Sequence, residues 1–252
     1  MVSTFYATIS RIGGIDIMPE KQHLLLVPGL VCDDALWRHQ VEDLSDIANI
    51  VVTDKHTRFP TIKEIAEAIV SEAPPSFALA GLSMGGFIAL EIVRSFPERV
   101  QRMAILDSNA RADTPEKAES RYQMIEQVKQ GRFEKVASSL LPLFVHPDRM
   151  EDRNLVDEIT GMVGRVGADN YIRQQHAIIS RRDHVAHLGK IECPTCVVCG
   201  KQDILTPPEL SEEIAESVPD AKLHVIDDCG HLTTMERPAV VSAVMRQWLT
   251  FS

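Results

Sequence analysis

The chain has no uninterrupted apolar run near the ~20 residues needed to cross a bilayer, which excludes a conventional membrane-spanning helix. Its opening residues, Met1-Val2-Ser3-Thr4-Phe5-Tyr6, lack the basic start and long apolar core of a signal peptide. A cytoplasmic location is therefore expected, with no membrane partner. Positive charge is in short supply: 26 Lys and Arg stand against 36 Asp and Glu, a formal net charge of -10. Phosphate backbones are held by clustered Lys and Arg, so no nucleic-acid partner is expected either. The imbalance does not identify a substrate.

Cysteine is sparse and unpatterned. Cys32, Cys193, Cys196, Cys199 and Cys229 are an odd number with no disulfide-framework spacing. Cys193-Pro194-Thr195-Cys196 does contain C-x-x-C, but a redox pair needs its first thiol at a helix N-terminus. Here the following Thr195-Cys196-Val197-Val198-Cys199 reads as a buried strand. No second C-x-x-C or H-x-x-x-H completes a zinc site, and His184 with His187 has no third ligand. Buried, reduced, structural cysteines are expected, with no metal and no cofactor. The chain also lacks internal repeats and low-complexity segments.

What is present is an ordinary globular composition, 44% apolar and 25% charged over 252 residues, enough for one α/β domain. Short apolar runs alternate with helical patterns, the signature of a mostly parallel sheet flanked by helices. Strands are expected at His23 to Pro28, Asn49 to Thr53, Phe77 to Ala80, Val100 to Asp107, Thr195 to Gly200 and Ala221 to Asp227. Asp33 or Asp34 caps a helix carrying Leu36, Trp37, Val41 and Leu44. Thr61-Ile62-Lys63-Glu64 is a capping box, and Pro74-Pro75 ends its helix. From Asn109 to about Ile191 the alternation breaks into amphipathic helices: Pro115 to Gln130, Phe133 to Leu141, Asn154 to Val166 and Ala168 to Ile179. Helices Pro208 to Val218 and Pro238 to Leu249 follow. Residues 1–20 suggest an antiparallel hairpin around Gly13-Gly14.

The chemistry is announced by Gly81-Leu82-Ser83-Met84-Gly85, at the junction of a strand-like run and a helix-like one. That is the G-x-S-x-G nucleophile elbow, a turn sharp enough to strain the serine and free its hydroxyl above the sheet. Gly81 and Gly85 remove side chains that would press strand against helix, and Gly86 removes another from the same turn. An activated serine needs a base, and the base needs a partner that fixes its tautomer. Of nine histidines, His231 follows Cys229-Gly230 just past the last strand, at the sheet edge where open α/β sheets place ligands. Asp203, in Gly200-Lys201-Gln202-Asp203, emerges at the same edge and is the candidate acid. Asp107, at the end of the strand after the elbow helix, is its rival. Asp227 and Asp228 lie nearer His231 in sequence but read as solvated or capping groups.

The order Ser83, Asp203, His231, together with LLLVPGL, GLSMGG, the GKQD turn and CGH, resembles the α/β-hydrolase superfamily over residues 22–252. The resemblance is to the small carboxylesterase-like branch. It implies a core of residues 1–109 and 191–252, with a helical cap over 110–190 inserted after the sixth strand. It also implies an oxyanion hole from the backbone N–H groups of Leu30 and Met84. Many relatives have His-Gly where this chain has Pro28-Gly29, a change that touches loop packing and leaves the Leu30 donor. The cap is expected to set substrate choice. Arg111 reads as a surface salt-bridge partner with an anion-binding alternative, and Phe133, Phe144, Met124 and Met162 as cap-core residues with a pocket-lining alternative. The implied activity is hydrolysis of a small carboxylic ester or related acyl substrate through an acyl-enzyme. Carbon–carbon bond, thioester or lactone cleavage, perhydrolysis, and a non-enzymatic ligand sensor stay open on the same residues.

Overall fold

A computed structural model describes residues 11–12, 15–16 and 21–250. Strand β1 (Arg11–Ile12) pairs antiparallel with β2 (Ile15–Asp16). The Gly13-Gly14 turn expected between them lies outside the described residues, as do positions 1–10 and 17–20. The main sheet holds six strands: β3 (Gln22–Val27), β4 (Ala48–Val52), β5 (Phe77–Leu82), β6 (Val100–Leu106), β7 (Thr195–Gly200) and β8 (Lys222–Ile226). Their order is β4-β3-β5-β6-β7-β8, and every neighbouring pair is parallel. Parallel strands need crossovers, and the chain supplies helices for them.

Alternate residues of each strand feed opposite faces. Leu24, Leu26, Ala78, Ala80 and Ala104 pack with α1 (Arg38–Leu44), through Leu44, and with the C-terminal helix. Leu25, Leu79, Met103, Ile105 and Val197 pack on the other face against α2 (Ile62–Glu72) and α3 (Met84–Ser95). With both faces covered, the central strands carry almost no polar side chains; β5 and β7 are buried throughout.

Between β6 and β7 lie α4 (Pro115–Lys129), α5 (Phe133–Phe144), α6 (Arg153–Ile179) and the short α7 (Val185–Leu188). The two helices expected over 154–179 merge into one element with a break at Gly167, where φ 74° and ψ 177° leave helical space. The second helix of this segment, α5, runs past the expected stop at Leu141. Pro142 sits inside it near the C-terminal end, where its missing N–H forgoes one i→i−4 hydrogen bond and the helix ends two residues later. After β7 come α8 (Pro208–Ser217), then β8, α9 (Thr233–Glu236) and α10 (Pro238–Thr250). Asp33, not Asp34, makes the first cap: its carboxylate accepts from the Ala35 N–H and starts a 3-10 turn ahead of α1. Among the described residues no helix is long and apolar enough to cross a membrane.

Candidate active site

Ser83 sits between β5 and α3 with φ 55° and ψ -113°, a conformation costly for any side-chain-bearing residue. The surrounding backbone holds it there. Its N–H donates to Leu106 O (2.9 Å), and its carbonyl accepts from Gly86 N and from Ser108 Oγ (2.9 and 2.8 Å). A Cβ on Gly81 would overlap the Gly85 carbonyl, as a strand-on-helix clash requires. On Gly85 it would instead strike the Val27 carbonyl at the end of the adjacent strand β3. On Gly86 it would strike the Ser108 side chain. The turn is therefore wedged between its own strand and both neighbours.

His231 lies in the loop after β8 and is 2% exposed. Its N–H donates to Phe144 O (3.1 Å), and its ring stacks on the Phe144 ring with centroids 6.0 Å apart. The Nε2 atom is 2.9 Å from Ser83 Oγ, and Nδ1 is 2.7 Å from Asp203 Oδ2. An ionised carboxylate only accepts hydrogen bonds, so Nδ1 carries the proton and Nε2 is left to accept from the serine hydroxyl. Asp203 also accepts from Leu205 N (2.8 Å), Thr206 N (3.0 Å) and Thr206 Oγ1 (2.6 Å). Burial pushes its pKa up, but the facing imidazole and these donors outweigh that and hold it below the usual range. For His231 burial pulls the pKa down, yet the Asp203 carboxylate wins and raises it above the ordinary value.

The rival acid lies elsewhere. Asp107 is fully buried with φ 46°, and its carboxylate accepts from Gly200 N (3.0 Å), Thr233 N (3.3 Å) and Thr233 Oγ1 (2.5 Å). Burial, reinforced by the nearby Asp203 charge, raises its pKa well above a normal carboxylate. It tethers β6 to the end of β7 and to α9 and makes no hydrogen bond to His231. Asp227 is largely exposed and pairs with Lys201, and Asp228 faces Arg237.

Leu30 borders the cavity beside Ser83, while Met84 opens α3 directly after it. Neither backbone N–H has an acceptor among the described residues, so both are free to donate to a ligand oxygen. The loop carrying Leu30 is fixed from outside: the next residue, Val31, has φ 52°, and its N–H donates to the buried Gln174 Oε1 of α6 (2.9 Å). Gln174 was not legible in the sequence, because it meets Val31 only through the fold. Thr206 was passed over as well, though it stands three residues after Asp203, a local spacing that could have found it. Glu236 is a third such group. Buried, its pKa raised by that burial, it accepts from Gly230 N and His146 N (both 2.8 Å) and joins the His231 loop to the chain after α5.

The cavity has a volume of about 270 Å³. Met124 and Phe144 line it, whereas Met162 is wholly buried among the inserted helices and Phe133 packs edge-on against Tyr171. Arg111 pairs with Glu213 at the surface (2.9 Å) and does not border the cavity. The cysteines are free thiols; Cys193 is only partly buried and the other four are buried. Burial raises Cys196 and Cys199 to about 12, so both stay protonated at neutral pH. Among the described residues no group of three or more His, Cys, Asp or Glu is arranged to hold a metal ion.

With this geometry in view, the comparison with known proteins is direct. The alpha/beta hydrolase fold family model matches residues 22–238. The chain belongs to that family. A putative carbamate hydrolase RutD from Agrobacterium fabrum is 27% identical, covering 91% of this chain and 94% of its own length. A thermophilic esterase from Thermogutta terrifontis superposes with a TM-score of 0.83 at 26% identity, covering 90% of this chain and 89% of the other. The enol-lactonase from Burkholderia xenovorans superposes equally well, 0.83, over 92% of each chain; at 22% identity it speaks for the fold alone. This α/β hydrolase is an enzyme of the hydrolase type.

Proposed function

We propose that this α/β hydrolase cleaves a small carboxylic ester or related acyl compound through an acyl-enzyme on Ser83. The carrying observation is the unbroken hydrogen-bond chain from Ser83 Oγ through His231 to Asp203, buried at both partners of the serine. In this reading His231 Nε2 takes the Ser83 proton as Oγ bonds to the substrate carbonyl carbon. Charge builds on the former carbonyl oxygen, where the Leu30 and Met84 N–H groups donate, the latter helped by the α3 dipole. The tetrahedral adduct collapses, the C–O bond to the leaving group breaks, and the imidazolium returns the proton to the departing oxygen. Water then attacks the acyl-enzyme with His231 again as base, releasing the acid and restoring Ser83. Asp203 holds the tautomer and stabilises the imidazolium without itself taking the proton.

Residues 110–190 serve in this reading as a cap on a core of 1–109 and 191–252, since Met124, Leu140, Phe144 and Ile178 supply much of the cavity's apolar lining. The cavity is slightly smaller than the roughly 300–1,000 Å³ of drug-sized ligand sites, which suits a short acyl group. Carbamates and lactones present the same carbonyl to the same groups, and the name carried by the Agrobacterium relative places a carbamate among the substrates to try. The test is a panel of p-nitrophenyl esters and carbamates of increasing acyl length. Turnover of the short members that disappears in Ser83→Ala is expected. Equal slow hydrolysis by wild type and Ser83→Ala would remove the serine mechanism.

A further inference from the structure

The cavity beside Ser83 has one wall of unexpected charge. Lys117, Ser120, Arg121 and Met124 of α4 recur at i, i+3, i+4 and i+7, so they share one helix face, and all four border the cavity with Arg181 and Asp113. Arg181 is buried and fully engaged. It donates to Arg111 O (2.9 Å), Ile178 O (3.0 Å) and Asp113 Oδ1 (2.7 Å), and its guanidinium lies 4.4 Å from the Phe87 ring centroid. That pairing already neutralises Asp113, whose side chain is 3% exposed. Asp113 is also the one carboxylate in the cavity lining.

Arg121 leans on the same carboxylate through Nε (2.7 Å) and donates from Nη1 to Gln175 Oε1 (2.9 Å), but its Nη2 has no acceptor among the described residues. The Lys117 ammonium has none either, among the described residues. Three cations thus border the cavity against one carboxylate, an excess of two positive charges in the lining of a chain whose formal charge is -10, with Asp183 acting on Arg181 from outside the lining. A cleft with partly low-dielectric walls concentrates such a field, and Arg121 Nη2 is left as a charged donor that an anionic oxygen can meet.

We propose that the substrate carries a carboxylate besides its scissile carbonyl, and that Arg121 and Lys117 bind it. The proposal rests on the acyl-transfer reading above, since it takes Ser83 as the point of attack. It makes the enzyme selective for half-esters and related acidic acyl compounds, with Arg121 supplying direction and Lys117 charge at the exposed end. Arg181 and Gln175 are then positioning residues that hold Asp113 and Arg121 in place.

The test pairs p-nitrophenyl hydrogen succinate, glutarate and adipate with the corresponding methyl esters, which keep the acyl chain and cap its carboxylate with a neutral methyl group. A hydrogen bond to a charged group is worth enough for a preference of roughly 10–100-fold in kcat/KM for the acid at the best length. That ratio falls toward one in Lys117→Met and in Arg121→Met and is partly kept in Arg121→Lys. A ratio of one or less at every length overturns the proposal, while Ser83-dependent turnover of the neutral esters would leave the acyl-transfer reading intact.

A second measurement does not depend on turnover. In Ser83→Ala, calorimetric titration should show monomethyl glutarate binding more tightly than dimethyl glutarate, with the difference lost in the Ser83→Ala, Arg121→Met double variant. Equal binding of the two ligands, or a difference that survives the loss of Arg121, overturns the proposal. Lys117 is exposed, so its variant keeps the kinetic comparison interpretable even if Arg121→Met folds poorly.

Discussion

In the proposed mechanism, replacing Asp203 with Asn isolates the contribution assigned to the acid. The substitution keeps the side chain's shape and removes a charge 2.7 Å from His231 Nδ1. Two unit charges about 4 Å apart attract by about 4 kcal/mol at an effective dielectric of about 20. The attraction is felt only once His231 becomes an imidazolium, so it is lost from the transition state and not from substrate binding. About 4 kcal/mol corresponds to roughly a thousandfold in kcat, and KM should change little. The sign of the accompanying pH effect follows from the same groups. Burial alone pushes the His231 pKa down, and the Asp203 charge raises it past the ordinary value. Without that charge burial prevails, so the acid limb of the kcat/KM profile moves to lower pH. Asp107→Asn is the control. Its carboxyl, driven toward the neutral form by burial, bonds Gly200 and Thr233, so an amide should cost less than about tenfold in kcat. Steady-state kinetics on p-nitrophenyl acetate across pH reads both variants. A thousandfold loss in Asp107→Asn with activity retained in Asp203→Asn would refute the assignment of the acid.

Two further outcomes follow from packing and hydrogen bonding. Gly85→Ala would drive a Cβ into the Val27 carbonyl, backbone that cannot swing away, and should lower stability in urea by about 1–3 kcal/mol or more. By contrast Gly164→Ala, in α6 with no atom within 4 Å of the new methyl, should raise it by about 0.5–1 kcal/mol; equal effects would contradict the elbow packing. Thr206→Val removes the hydroxyl that donates to Asp203 Oδ2 at 2.6 Å and should lower kcat by about tenfold with the fold intact. An unchanged kcat would leave Thr206 as cavity lining only.

The sheet could be read from the sequence because parallel strands buried on both faces are short continuous apolar runs, as at Leu24-Leu25-Leu26-Val27 and Thr195-Cys196-Val197-Val198. The elbow was legible because its geometry is local: three glycines and a serine declare the turn within six residues. His231 and Asp203 were readable as ends of strands at one edge, which is topology. The choice between Asp203 and Asp107 was less so. Both carboxylates emerge at that edge, and only the tertiary arrangement shows which one meets the imidazole. Gln174 reaches Val31 across 143 positions and Arg181 reaches Asp113 across 68, and no spacing rule encodes such meetings. Arg111 attracted notice by lying just past β6, yet its side chain turns outward to Glu213. The cationic face of α4 was present in the sequence as Lys117, Ser120, Arg121 and Met124. Nothing local says which face of an amphipathic helix borders a cavity.

The central claim is that Ser83 Oγ is the attacking atom, freed by the elbow and activated by His231. A fluorophosphonate probe tests it directly, because phosphorus is captured only by a serine made nucleophilic by its surroundings. Intact-mass and peptide spectra should find one adduct, on Ser83, formed at a rate that collapses in His231→Ala. Labelling at another residue, or labelling of Ser83 that proceeds as fast without His231, would contradict the account.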